Sequence, residues 1–275
     1  MFFQPRNLDE ALALRAEHGP DVLTLGGGTD LLVLLNRGAL RPAGWLDLSR
    51  IAGFADIAEH NGEIVLSGGA TFSQIGTLPV RALAAAAMSV GGPQVRNRGT
   101  IAGNLATASP AGDGSTALLA LGATIELSHA QRGRRTVPID RFFLDYKRTA
   151  LAPDELITAV RFRADARTAW YKIGKRGACN ISVVSCAIGW AADGSCRIAL
   201  GSVGPYPMRA TRAEAVVDQG GLTAEAIAEA AAEAMKEAQP IDDHRASARY
   251  RRAMCGTLVR RLLMQRRDEA AARVA

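Results

Sequence analysis

The stretch that most limits how this chain can fold is Val22-Leu23-Thr24-Leu25-Gly26-Gly27-Gly28-Thr29-Asp30-Leu31. A short segment of buried-strand character runs into three consecutive glycines, and an apolar run to Leu35 follows at once. Glycines leave no side chain between the backbone and a ligand. Successive free N–H groups at a helix start form a cradle for an anion, and the helix dipole adds to it. The pattern predicts a strand, a glycine loop and a helix closed by Gly38 at its C′ position. Thr29 can cap that helix or give its hydroxyl to a phosphate. A tight turn ahead of a capped helix accounts for the same residues equally well. The spacing is not G-x-G-x-x-G and no P-loop lysine follows, which disfavours Rossmann-type dinucleotide binding and ATP hydrolysis.

A second stretch, from Gln94 to Asp113, is rich in Gly, Asn, Thr, Ser and Pro and has little hydrophobic periodicity. It is too long for an ordinary connector, so a functional loop is predicted. Thr100-Ile101-Ala102-Gly103-Asn104 and Asp113 supply a hydroxyl, an amide, small residues and one acid. N–H and hydroxyl donors suit a pyrophosphate, and a carboxylate suits a ribose diol. Gly103 is expected to allow close approach, with the positive φ that glycine permits. A helix starting at Ser109-Pro110, with Asp113 complementing the dipole in its first turn, is the competing reading.

Elsewhere a helix is predicted from Leu8 to Glu17, capped by Asn7 and stopped by His18-Gly19-Pro20. Strands are expected at 44–48 and 63–67, with a second glycine turn at Gly68-Gly69-Ala70-Thr71. An Ala-rich helix at 78–90 and a helix at 115–121 follow, then strands at 123–127, 136–139 and 155–162. Asp193-Gly194 between apolar runs at 181–191 and 196–203 signals a hairpin. Helices are expected at 212–219, 224–238 and 245–265. The texture changes near Asp165 to Thr168. The predicted division is therefore 1–166, with subdomains of about 1–55 and 56–166, and then 167–275.

With 275 residues, 48% hydrophobic but only 5% aromatic, the core must be built from Ala, Leu, Val and Ile. A chain of this length needs no staple to fold. The net charge of +6 permits an acidic partner without demanding one. Arg249, Arg251, Arg252, Arg260, Arg261, Arg266, Arg267 and Arg273 crowd the C-terminal end. The apolar positions Met254, Leu258 and Leu262 at i, i+4 spacing predict one buried face there, docked on this chain or on a partner. A nucleic-acid module would need interleaved aromatics, and this end has only Tyr250. Cys179, Cys186, Cys196 and Cys255 form no C-x-x-C pair, and His18, His60, His129 and His244 are scattered, so no metal held by this chain is predicted. The start MFFQPRNLDE does not read as a signal peptide, and no apolar run is long enough for a membrane span. These features point to the cytoplasm. There is no G-x-S-x-G, no H-E-x-x-H and no carboxylate pair at catalytic spacing. Chemistry would then come from a bound cofactor.

Four segments together carry a family resemblance: LTLGGGTDLL from Leu23, QVRNRGTIAGNLATASPAGD from Gln94, LAPDELITAV from Leu151 and YKIGKRGACNIS from Tyr171. In order and spacing the chain resembles the FAD-binding medium subunit of the molybdenum hydroxylase family, which includes xanthine dehydrogenase and carbon monoxide dehydrogenase. The resemblance implies an α+β fold: a vanillyl-alcohol-oxidase-type FAD-binding domain of two subdomains, then a small antiparallel sheet with helices. It implies that Thr24 to Leu31 (Thr24, Leu25, Gly26, Gly27, Gly28, Thr29, Asp30, Leu31) and Thr100 to Asn104 embrace the FAD pyrophosphate. It places Asp113 at the adenosine half, and Ile157 and Lys172 against the flavin part. Val90 stands where some relatives have an aromatic beside the flavin, and Ala102 replaces the first of two glycines usual in the family. The implied role is electron transfer. Substrate is hydroxylated at a molybdenum cofactor in a large molybdopterin-binding subunit. Electrons then cross two 2Fe–2S clusters in a small iron–sulfur subunit to FAD in this chain, within a dimer of heterotrimers. The alternative is a stand-alone FAD-dependent reductase of the same fold.

Overall fold

The computed structural model describes residues 1–272, so Arg273 lies outside the described residues. The chain opens with β1 (Phe2–Phe3), α1 (Leu8–His18), β2 (Val22–Leu25), α2 (Leu31–Asn36) and β3 (Gly44–Asp47). The three strands form a parallel sheet in the order β1-β3-β2. Asn7 caps α1 as expected: its Oδ1 accepts from the Glu10 N–H at 2.8 Å. Gly38 takes φ +69° just past α2. Helix α2 is apolar on every side yet lies on the surface: Leu32, Val33, Leu34 and Leu35 are 44%, 45%, 38% and 37% exposed. An exposed apolar patch of this kind marks an interaction surface.

The middle of the chain contributes β4 (Ile57–His60), β5 (Glu63–Ser67), α3 (Phe72–Ile75), α4 (Arg81–Ser89), α5 (Pro93–Arg98), α6 (Ile101–Thr107), α7 (Asp113–Leu121), β6 (Thr124–His129), β7 (Gly133–Pro138), β8 (Phe143–Asp145), β9 (Arg148–Thr149) and β10 (Leu156–Arg163). Strands β4-β5-β10-β6-β7 make one antiparallel sheet, and β8 pairs with β9. The stretch expected to be a long loop is instead largely helical, in α5 and α6. Short helices are marginal on their own. Here tertiary contacts hold them: Phe72 N–H donates to Gly99 O at 3.1 Å, Ile101 N–H to Ala70 O at 2.9 Å and Ala102 N–H to Gly68 O at 3.1 Å. Ile101 and Leu105 are fully buried beneath.

The last part is β11 (Thr168–Ile173), β12 (Val184–Trp190), β13 (Cys196–Gly201), β14 (Met208–Arg209), α8 (Thr211–Gly220), α9 (Ala224–Glu237) and α10 (Ala248–Ala271). The strands form an antiparallel sheet in chain order. The Asp193-Gly194 hairpin is present, whereas β11 was not anticipated. Helix α7 is buried along its whole length and packs against α4 on one side and β12 and β13 on the other. The approach is close enough that a Cβ on Gly189 would strike the Ala120 carbonyl, and one on Gly201 the Thr116 and Ser185 hydroxyls. The α+β class expected from the sequence is what the chain adopts. Among the described residues no helix is long and apolar enough to cross a membrane.

Helix α10 lays Cys255, Leu258, Val259, Leu262 and Leu263 into a core shared with β12 and α9, so it docks on the body of its own chain. Arg252, Arg260 and Arg261 stay exposed. Arg251 is the exception: it is buried, and donates to Ser202 O at 3.0 Å and Asp243 Oδ1 at 2.6 Å. Leu258→Ala should therefore destabilise the chain by about 2–5 kcal/mol, and Arg260→Ala by no more than about 0.5 kcal/mol. Urea unfolding of both variants checks this. The reverse ranking would mean that α10 is not held by its apolar face.

Candidate functional site

The two glycine-containing segments singled out from the sequence meet. A Cβ on Gly26 would come to 2.8 Å from Thr100 Oγ1, and one on Gly27 would run into the Arg98 carbonyl. Thr107 Oγ1 donates to Asp30 Oδ2 at 3.1 Å, tying the start of α2 to α6. Gly28 carries φ +74°, which explains a glycine there. None of the backbone N–H groups from Gly26 to Asp30 donates a hydrogen bond among the described residues. Gly26 to Thr29 are partly exposed, so these donors face accessible space. Thr29 does not cap α2: Asp30 is the N-cap residue, and it makes no side-chain cap bond. With only six residues in α2, the exposed N–H groups contribute more to anion binding than a macrodipole does.

The Thr100–Asn104 segment differs from expectation. Its N–H groups are already used: Ile101 and Ala102 bond to Ala70 and Gly68, Gly103 donates to Thr100 Oγ1 at 3.1 Å, and Asn104 donates to Thr100 O at 3.0 Å. Gly103 lies inside α6 and has no positive φ. What the segment offers is the Thr100 hydroxyl hydrogen, the Asn104 amide and the open side of Gly103, where a Cβ would meet only Thr100 Oγ1 at 3.1 Å. The backbone donors therefore come from one loop, and the second supplies a wall and side chains. Five free N–H groups beside a threonine hydroxyl suit the acceptor-only oxygens of a diphosphate.

Asn104 connects this cradle to the second cluster. Its Oδ1 accepts from Ser115 Oγ at 3.2 Å, in the first turn of α7. Asp113, the first residue of α7, is 6% exposed and pairs with Lys172 Nζ at 2.8 Å. Ser89 Oγ donates to the same carboxylate at 3.1 Å, and Ser182 Oγ donates to its other oxygen. Lys172 also donates to Ser89 O at 2.9 Å and Asn180 O at 3.2 Å, so all three ammonium hydrogens have acceptors. Burial pushes the Asp113 carboxyl above its ordinary value, against the opposing pull of the Lys172 ammonium. Asp113 and Lys172 thus form one buried unit.

Val90 follows directly on Ser89 at the end of α4, beside this pair and partly exposed. Ile157 is only 4% exposed in β10, at a bulge where its carbonyl closes over Gly68. It supports α6 through the Gly68–Ala102 contact and offers little side-chain surface. Ser182, Ser89 and Asn180 were not singled out individually from the sequence. The one available signal was a serine immediately before the apolar start of β12, where a buried hydroxyl needs a polar partner.

A glycine-loop cradle on a parallel strand, walled by a second small-residue segment, suits the phosphates of a nucleotide cofactor. The chain belongs to the family of FAD binding domains in molybdopterin dehydrogenases, whose model matches residues 1–162. Residues 169–266 match the carbon monoxide dehydrogenase flavoprotein C-terminal domain. Among its relatives, the carbon monoxide dehydrogenase medium chain of Hydrogenophaga pseudoflava is 32% identical over 273 residues, 95% of each chain. The nicotinate dehydrogenase FAD-subunit of Eubacterium barkeri is 36% identical over 244 residues, 82% of each chain. Among solved structures, a chain of carbon monoxide dehydrogenase from Hydrogenophaga pseudoflava superposes with TM-score 0.88 at 33% identity, covering 95% of both chains.

The buried pair generates a test. Lys172→Met should cost about 3–5 kcal/mol, because it strands a buried carboxylate. Adding Asp113→Asn should recover about 0.5–3 kcal/mol of that loss. Additive losses in a denaturation-based double-mutant cycle would rule out a coupled pair.

Proposed function

We propose that this chain is the FAD-carrying electron-transfer subunit of a molybdenum hydroxylase. In this reading it receives electrons from two 2Fe–2S clusters in a small iron–sulfur subunit and delivers them to an external acceptor. The observation that carries the proposal is the run of unengaged N–H groups from Gly26 to Asp30, clasped against Thr100. The family match supports FAD as the occupant. Bound FAD supplies the redox chemistry, taking up electrons singly and passing them on.

In this reading the N–H groups of the loop, with the Thr100 hydroxyl and the Asn104 amide, hold the pyrophosphate. Thr24, Leu25 and Leu31 fix the two ends of the loop in β2 and α2. Val90 and the Asp113–Lys172 unit border the remainder of the cofactor, and Ile157 backs α6. A lone ammonium would favour added negative charge on a nearby ring. Paired at 2.8 Å with Asp113, its field is largely cancelled, so Lys172 contributes position more than charge. No cysteine or histidine lies in either loop, so attachment is non-covalent. The division at about 166 remains our assignment, with a parallel-sheet subdomain to about 55.

The large molybdopterin-binding subunit and the small iron–sulfur subunit are the partners this role requires, in a dimer of heterotrimers. The exposed apolar helix α2 beside the cradle supports a partner chain there. Localisation in the cytoplasm agrees with four cysteines that form no disulfide among the described residues.

Acid precipitation of the purified protein should release all flavin into the supernatant as FAD. Retained colour would refute non-covalent binding, and FMN would refute a diphosphate cradle. Thr100→Val should weaken FAD binding by about 0.5–1.5 kcal/mol, the net value of one hydrogen bond. In the assembled complex, substrate should bleach the flavin only when the iron–sulfur subunit is present. Turnover of NADPH by the isolated chain would instead identify a stand-alone reductase.

A further inference from the structure

The Gly26–Asp30 loop, Thr100 and Asn104 carry donors but no cation. The loop ends on the Asp30 carboxylate, held by the Thr107 hydroxyl at 3.1 Å, so its one charged side chain is negative. The Lys172 ammonium is paired with Asp113 at 2.8 Å and has little charge to lend. A diphosphate brings further negative charge, and placing it beside a carboxylate in half-exposed space is unfavourable without a positive charge nearby. One arginine stands where that charge is needed. Arg98 is the last residue of α5, and its backbone abuts the glycine loop: a Cβ on Gly27 would run into its carbonyl. A small cavity of about 160 Å³ opens there, lined by Gly26 and Thr100 of the cradle and by Leu48, Ser49, Phe54 and Arg98. Arg98 is the one cation on these walls among the described residues. It is exposed, and its side chain makes no hydrogen bond or ion pair among the described residues. The acid that acts on it from a distance is Asp47, whose two oxygens are already taken by Gln4 Nε2 at 2.8 Å and the Ser49 N–H at 3.0 Å. Neither a hydrogen bond, an ion pair nor the dipole of a six-residue helix accounts for an arginine at this position.

We propose that Arg98 supplies the counter-charge for the cofactor diphosphate, which makes it a specificity-determining residue of the cradle. The inference rests on the reading that the Gly26–Asp30 loop holds the diphosphate of FAD. The loop N–H groups donate to the phosphate oxygens, and Arg98 adds the positive charge that they lack. Guanidinium forks match phosphate oxygens in bidentate geometry. Because the side chain is unengaged in the fold, turning it onto the ligand breaks no existing contact, and the cost is the rotamer freedom lost. Lysine at the same position would keep the charge and lose the fork.

The test is the dissociation of FAD from the loaded full-length protein, followed by the recovery of flavin fluorescence on dilution at a series of NaCl concentrations. Arg98→Gln should raise the Kd for FAD about tenfold or more at low salt. Arg98→Lys should recover part of that loss. The affinity of the unaltered protein should fall as salt rises, and that of Arg98→Gln should fall less steeply. The urea midpoint of the flavin-free protein should be the same in both variants as in the unaltered chain, since the Arg98 side chain holds nothing in the fold. Equal FAD affinity in Arg98→Gln, an equal salt slope, or a loss of affinity matched by a lower urea midpoint would overturn the proposal. If Thr100→Val weakens FAD binding while Arg98→Gln does not, the role of Arg98 falls and the cradle reading stands. If the purified protein yields no FAD, both fall.

Discussion

The close approach of α7 to the β12–β13 face sets the geometry on which the rest depends. Gly189 and Gly201 let the helix backbone and its small first-turn side chains settle directly on the strands. That contact packs every residue of α7 away from solvent, and so carries Asp113 into the interior at its first position. A carboxylate placed there needs a cation and hydrogen-bond donors, or it would stay protonated. Lys172 from β11, Ser89 from α4 and Ser182 from the entry to β12 supply them. One helix position thus gathers three elements that are remote in sequence around a single carboxylate.

The cradle and the buried unit do different physical work. In the cradle, donors are left open and half-exposed, so they can be desolvated by a ligand at small cost. In the buried unit the Asp113 carboxylate and the Lys172 ammonium have found their partners, so they have little left to offer a ligand except shape and position. Asn104 joins the two through Ser115. A shift of α6 is therefore felt at the start of α7, although neither group of residues touches the other directly.

What could be read in the sequence was local. Asn7, Gly38 and the Val22–Leu25 strand carry their own signals in neighbouring residues, and each is where its pattern places it. The helices α5 and α6 could not be read this way. Their residues are polar and small, without periodicity, and what holds them helical comes from Phe72, Ala70 and Gly68 in another segment. Strand β11 was missed because its residues are mostly half-buried and do not alternate cleanly. The Asp113–Lys172 contact spans 59 positions, and no short-range pattern encodes it. Gly103 shows the opposite error: a glycine that looked conformationally necessary is an ordinary helical residue whose value is the empty space beside it.

Helix α2 places four bulky aliphatic side chains in water immediately beyond the cradle. Water penalises that arrangement in proportion to the area left uncovered. Two copies of the chain can bury these side chains against each other, so α2 left uncovered favours self-association, and the more so the more concentrated the chain.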